Sequence, residues 1–392
     1  MKERFTELAE FYRDKLLNDT IPFWEKNSID RDCGGFFTCL ERDGTVYDTD
    51  KFMWLQPRQA WTFAMLYNRY EKRDEWLEIA RHGIDFVTKY GRDEAGDWFF
   101  RLTREGKPVL HPYNPNSTAL FSTIAYAEYA AITQDEEDIA RARETYDYLI
   151  SDRPKPYTRF AKAYPGTRPL IGLGEPMFRA HVSYEIKWLM DADELNETID
   201  ECLNAVFDKF PDPKHGIFRE NVAPDGSFVD SLEGRHINPG HGIECVWFLM
   251  EVAEFRNNTE AIKKCVDVLL STLDFAWDKE YGGIYNFMDV EGHPHHDLGW
   301  NQKLWWPHDE ILIALSMAYR LTGNQTCWDW FEKAHEYCWN HFSDPEYGEW
   351  YGYLDCRSEV YMPLKGGKWK GCYHHPRMLY KCMCEFEKLG SN

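Results

Sequence analysis

Four segments of the sequence set groups able to move a proton beside aromatic rings. NPGHGIEC at 238–245 places His241 and Glu244 three residues apart, on one face of any helix they share. LWWPHDE at 304–310 sets Trp305 and Trp306 beside His308, Asp309 and Glu310, and KGCYHHPRM at 370–378 presents His374 and His375 just ahead of a proline. WLQPRQAW at 54–61 puts Arg58 between Trp54 and Trp61. Histidine titrates near neutral pH, so it can take a proton from carbon beside a carbonyl without a large pKa shift. Two histidines on opposite faces of a planar enediol-like intermediate would remove a proton from one side and return it from the other, which is epimerisation. Return to the adjacent carbon would instead be aldose–ketose isomerisation. Arg58 would stabilise the oxygen that gains charge, Glu244 would orient a histidine, and the aromatics would stack on a sugar ring.

Other chemistries compete for the same residues. Glu244, Asp309 and Glu310 offer carboxylates for glycoside hydrolysis, which needs an acid paired with a carboxylate. Three histidines and a glutamate could hold zinc, but no HExxH or comparable short spacing occurs, so no metal is expected. A non-catalytic sugar-binding ring would use the aromatics and leave the histidines unexplained. His293, His295 and His296 in HPHHD read as a solvated turn.

A repeat positions these groups. DRDCGGFFTCLERDG at 30–44 recurs as DEAGDWFFRLTREG at 93–106, DPKHGIFRENVAPDG at 212–226, DKEYGGIYNFMDVEG at 278–292 and DPEYGEWYGYLDCRSE at 344–359. Each copy reads as an acidic turn, a glycine, a short aromatic strand and a second turn. The anchor glycines Gly35, Gly96, Gly216, Gly283 and Gly348 stand 61, 120, 67 and 65 residues apart. The doubled gap implies a degenerate copy near 155–170 and hence six units. Helices in pairs separate the copies, as in RQAWTFAMLYNRY then EWLEIARHGIDFVTKY, the first apolar all round and the second with a charged face. The expected fold is therefore all-α: an (α/α)6 barrel of six helix pairs with short β-hairpins at one mouth, formed by residues 1–392 as a single domain. An open helical solenoid is the alternative. Counted from the anchors, Arg58 falls 23 residues on, Phe121, His241 and His308 each 25, and His374 26, with His181 fitting the degenerate unit. Independent structural needs would not select one offset, so these positions should converge at one mouth of the ring.

Composition narrows the partners. A formal charge of −21, from 66 acidic and 45 basic residues, argues against nucleic acid. MKERFTELAEFYRDKLL is a charged amphipathic helix unlike a signal peptide, and no run of 18 apolar residues spans a membrane. Eleven cysteines without a CxxC pair fit buried, reduced thiols, and so a cytoplasmic location.

The segments CGGFFTCLERDGTVYD, WLQPRQAW, YPGTRPL, NPGHGIE, LWWPHDE, DPEYGEWYGYL and KGGKWKGCYHHPR, in this order, resemble the N-acylglucosamine 2-epimerase family over almost the whole chain. The resemblance implies an (α/α)6 barrel that interconverts N-acetylglucosamine and N-acetylmannosamine, with cellobiose and mannose epimerases and aldose–ketose isomerases as relatives. It implies His241 and His374 as paired catalytic histidines, Arg58 as a substrate contact, and Glu244, His308 and Glu310 as supporting groups, with Trp305 and Trp306 beside the sugar. It requires no cofactor for the chemistry. The N-acyl members bind ATP as an activator that is not consumed, and AKAYPGTRPLIGLGEP at 161–176, with Gly166, Thr167 and Arg168, resembles their nucleotide-associated loop. Disaccharide epimerases carry Asn and His four residues apart where this chain has Met177 and His181. The missing Asn argues against a disaccharide, and His181 leaves an unacylated monosaccharide such as mannose open. Members are commonly homodimers.

Overall fold

The computed structural model describes residues 1–111, 116–151 and 166–391. Helix α1 (Lys2–Lys15) passes through a π turn at Leu16–Thr20 into α2 (Ile21–Asn27). Then come α3 (Gln56–Arg69) and α4 (Asp74–Tyr90), α5 (Asn116–Thr133) and α6 (Glu136–Ile150), and α7 (Gly174–Glu185) and α8 (Ala192–Lys209). After the single turn α9 (Leu232–Arg235) follow α10 (Pro239–Phe255) and α11 (Thr259–Ala276), α12 (Trp305–Thr322) and α13 (Gln325–His341), and finally α14 (His374–Ser391).

Burial sorts these helices into two rings. Every residue of α3 from Gln56 to Leu66 is buried, whereas α4 buries only Trp76, Ala80, Gly83, Ile84, Phe86 and Val87, a stripe at helical spacing. The inner ring runs α3, α5, α7, α10, α12, α14, each packed on the next, and α4, α6, α8, α11 and α13 pack outside their partners. The sixth outer helix is α1, which lies against α14. The sixth pair is thus built from the two ends of the chain, which the periodicity alone did not reveal. The ring closes where Thr62 Oγ1 donates to the Cys372 carbonyl at 2.9 Å and Tyr380 OH to the Arg69 carbonyl at 3.3 Å. Closure excludes the open solenoid.

The hairpins form a collar at the N-terminal ends of the inner helices. Lys51–Phe52 pairs with Arg101–Leu102, Ile171–Gly172 with Asn221–Val222, His236–Ile237 with Met288–Asp289, and Lys303–Leu304 with Tyr353–Leu354, all antiparallel. Each pairing ties the entry segment of one unit to the hairpin of another. The anchor glycines all take positive φ, from 68° at Gly35 to 83° at Gly96, as the shared turn demands. The second turn ends on glycine in four copies and on Ser358, at φ 66°, in the last. Of the degenerate copy expected near 155–170, residues 155–165 lie outside the described residues.

Buried ion pairs fix the collar. Asp30, Asp278 and Asp344 each accept backbone N–H groups within their own turn. Each also binds a fully buried lysine: Lys51 at 2.9 Å, Lys303 at 2.7 Å and Lys365 at 2.9 Å. Loss of one partner would leave a charge without compensation in the interior. At the opposite end, Arg69 joins Glu128 and Glu185, Lys381 joins Glu251, and Arg320 joins Glu254 and Glu385. Ion pairs therefore fill that end of the ring, and the accessible mouth is the collared one. Among the described residues no helix is long and apolar enough to cross a membrane. All eleven cysteines are free and most are buried.

Candidate active site

Two imidazoles lie near the same indole, Trp306, at the mouth, each held by its own carboxylate. His374 opens α14, and its Nδ1 lies 2.7 Å from Glu310 Oε1 on α12. Glu310 also accepts from Arg377 Nη2 at 2.7 Å and from the Trp247 indole at 2.6 Å, so the carboxylate stays ionised despite burial. On the other side of the ring, His374 Nε2 stands 3.3 Å from Arg58 Nη1. Nδ1 also lies 3.2 Å from Arg377 Nη2, but its shorter contact is to the ionised Glu310, which only accepts, so Nδ1 carries the proton and Nε2 keeps the lone pair facing Arg58. Burial pushes the pKa of His374 down to about 3 against the pull of Glu310, which fixes the ring as neutral.

His241 is arranged differently. Asn238 caps α10 by accepting from the His241 N–H at 3.2 Å, and Pro239 fills the first helical position, which points the ring into the mouth. Its Nδ1 lies 2.9 Å from Glu220 Oε1, and its side chain is 30% exposed. Burial disfavours its cation, but Glu220, with Glu244 and Glu310 behind it, outweighs burial and raises the pKa. One histidine is thus held neutral and the other is biased toward the cation. Such a pair divides the work of base and acid.

Trp306 is close to both, its ring centroid 5.4 Å from that of His241 and 5.7 Å from that of His374. The ring sits so close to α10 that a Cβ on Gly240 would come within 2.5 Å of it, so any larger residue there would push the ring aside. Arg58 completes the site, its guanidinium 3.6 Å from the Phe121 ring centre, 4.3 Å from Trp54 and 4.8 Å from Tyr373. Burial lowers its pKa only to about 10, so it remains a cation at neutral pH.

The register argument brings Arg58, Phe121, His241 and His374 together, but not His308. Its Nδ1 donates to the Leu304 carbonyl at 2.6 Å and its Nε2 accepts from the Ile284 N–H at 3.1 Å. Both nitrogens serve the backbone, and the ring packs outward on Tyr337 and Phe342. The cause is a slip of one residue: α12 starts one residue nearer its anchor glycine than α10 does. The same offset therefore lands about 100° further round the helix. Glu244 and Glu310 occupy matching helical positions instead.

Other expectations need similar correction. Glu244 does not bond His241; it accepts from Arg377 at 3.0 Å and acts on the histidine only through its field. Trp305 is buried edge-on against Tyr353, and Trp306 alone of the pair reaches the mouth. Met177 is fully buried, and His181 stacks on Phe248 at 3.9 Å with neither ring nitrogen bonded among the described residues. Gly166, Thr167 and Arg168 are exposed, with Arg168 3.9 Å from Glu233, and the loop before them lies outside the described residues. Two clusters, His181–Glu185–Glu251 and Glu244–Glu310–His374, bring potential metal-ligand atoms within 4.8 Å of one another. Arg69, Lys381 and Arg377 already pair with their carboxylates.

Glu220 and Arg377 were missed in the sequence. A signal for Glu220 existed: four residues past the anchor glycine, the other copies have Cys39, Phe100, Phe287 and Gly352. Arg377 follows His374 by three, which puts both on one helix face.

Known proteins resemble this chain in sequence and in fold. The family model described as N-acylglucosamine 2-epimerase (GlcNAc 2-epimerase) matches residues 35–377. The chain is 36% identical to the N-acylglucosamine 2-epimerase of Bos taurus, over 97% of this chain and 92% of that one. It is 33% identical to the Homo sapiens protein of the same name, over 99% and 92%. The crystal structure of a D-mannose isomerase superposes with a TM-score of 0.81 at 19% identity, covering 96% of this chain and 97% of the other, a likeness of fold.

Proposed function

Because the chain belongs to the N-acylglucosamine 2-epimerase family, we propose that it inverts C2 of a ring-opened sugar by proton transfer between His374 and His241. The observation that carries the mechanism is the pair of imidazoles, each with Nδ1 on a separate carboxylate and both beside Trp306. The neutral His374 takes the C2 proton with its Nε2 lone pair, and His241 delivers a proton to the opposite face. The reverse reaction exchanges the roles. Arg58, beside His374 Nε2, holds the C1 oxygen as it gains charge in the enediolate. Every step uses side chains of this chain alone. Glycoside hydrolysis is disfavoured because Glu244 and Glu310 are buried and share Arg377.

The substrate we propose is the N-acetylglucosamine/N-acetylmannosamine pair, supported by relatives of that name over nearly the full chain. A second reading, an unacylated sugar such as mannose or glucose, draws on His181, whose two unbonded ring nitrogens could meet a hydroxyl. We propose further that residues 1–392 act as one domain, as a homodimer, in the reducing cytoplasm that free buried thiols suit.

Proton NMR in D2O tests the activity, with N-acetylmannosamine, N-acetylglucosamine, mannose and cellobiose supplied separately, each with and without ATP. The expected product is the C2 epimer of an N-acetylhexosamine, deuterated at C2. A ketose would make the enzyme an isomerase. The absence of product and of C2 exchange with all four sugars would overturn the assignment.

A further inference from the structure

Beside the His374–Glu310 pair stands a second imidazole–carboxylate pair that the chemistry above does not use. His375 Nδ1 lies 3.0 Å from Asp309 Oδ1, and both residues are buried. The two pairs join the same helices through consecutive residues: Asp309 and Glu310 on α12, His374 and His375 on α14. Neighbours on a helix point about 100° apart, so the second pair faces away from the mouth. There the His375 ring packs on Trp350 at 4.3 Å and on Trp339 at 6.2 Å. Trp339 belongs to α13, in the outer ring.

Further along, Arg377 and Glu385 of α14 also bond Glu310 and Arg320 of α12. The His375 bond adds a fix at the residues that open α14, directed about 100° from the His374 bond, and so limits the roll of that first turn. His374 sits at the first residue of α14, where a helix is least constrained by its own hydrogen bonds. We infer that Asp309 and His375 are positioning residues for the epimerisation proposed above, limiting the roll of the first turn of α14 so that His374 keeps both its bond to Glu310 and the aim of its Nε2. Neither touches the mouth, so they act only through His374. Among the described residues Asp309 Oδ2 has no hydrogen-bond partner, which leaves the His375 bond as the link that holds this carboxylate. Around the pair stand Glu310, Glu349 with its partner Lys370, and Cys338.

The test compares shape-matched variants. Asp309→Asn retains an acceptor and His375→Asn a donor in the place of Nδ1, whereas Asp309→Leu and His375→Gln break the bond. The breaking variants should lower kcat by about 10–100-fold, the scale of a small misplacement of a catalytic group, with KM within about twofold. The Asn variants should stay within about threefold of wild type. In long-range 1H–15N spectra of histidine-labelled protein, the Nδ1–H signal of His374 should broaden in the breaking variants only. Equal activity for His375→Asn and His375→Gln would overturn the inference, as would a folded Asp309→Leu enzyme with wild-type kcat. If Asp309→Leu does not fold, the two polar His375 variants decide. If the wild type turns over no sugar, the epimerase reading fails, and the His374 spectrum still decides this one.

Discussion

Glu220→Gln should strip His241 of the charge that holds its proton. Glu220 is partly buried, lies 2.9 Å from Nδ1 and is itself kept ionised by His241, so the bond between them is charge-assisted. Such a bond is worth about 1.5–3 kcal/mol, or about one to two pKa units at 1.36 kcal/mol each. The pKa of His241 would then fall from its raised value, with burial opposed only by Glu244 and Glu310. His241 acts in the proposed cycle as the cation, so its titration sets the alkaline limb of kcat/KM. That limb should move to lower pH by about one to two units, and at pH 7.5 the variant should be about 10–100-fold slower. The equilibrium constant belongs to the sugars, so kcat/KM must fall by the same factor from either epimer. Stability follows the same linkage. A raised folded pKa contributes stability below the unfolded pKa of about 6.5, and that contribution disappears as pH rises through the folded value. Wild type should therefore gain on the variant in Tm as pH falls toward 6. The assay is NMR time courses in both directions across pH 5.5 to 9. An alkaline limb in the same place, with kcat/KM unchanged, would refute the assignment of Glu220 as the partner of His241.

Three further outcomes are expected. Gly240→Ala, whose Cβ would come within 2.5 Å of Trp306, should raise KM several-fold with little change in Tm, because a movable ring shifts rather than the core; an unchanged KM would remove Trp306 from the sugar site. His308→Leu should cost about 2–4 kcal/mol in urea denaturation, since the Ile284 N–H and Leu304 carbonyl both lose their bond, and should leave the pH limbs of kcat/KM where they are. A moved limb would restore His308 to the chemistry. Ser358→Ala should destabilise more than Ser358→Gly, by about 1 kcal/mol in the same assay. Both lose the hydroxyl that meets Lys303 and Tyr337, but only glycine accepts φ 66° without strain.

The barrel was legible because its determinants are local. A turn that needs glycine at positive φ, placed five times at regular spacing between helices of two burial types, is recorded residue by residue. Arg58, His241 and His374 were legible for the same reason, since each stands within the first turn of an inner helix that begins at the collar. The sixth pair was not, because α1 and α14 lie at opposite ends of the chain and nothing local marks them as partners. His308 shows the limit of counting. A difference of one residue in a connecting segment is invisible as spacing, yet it turns a side chain by about 100°, from the mouth into the wall.

Residue types and their spacing therefore determined the architecture and the presence of two histidines at one mouth. Tertiary structure decided which carboxylate each histidine meets. Glu220 comes from a hairpin and Glu310 from a neighbouring helix, and these contacts set His241 above its ordinary pKa and His374 below it. The physical reason is that turn and helix preferences act within a few residues, whereas burial and the field of a charge depend on which parts of the chain the ring brings together.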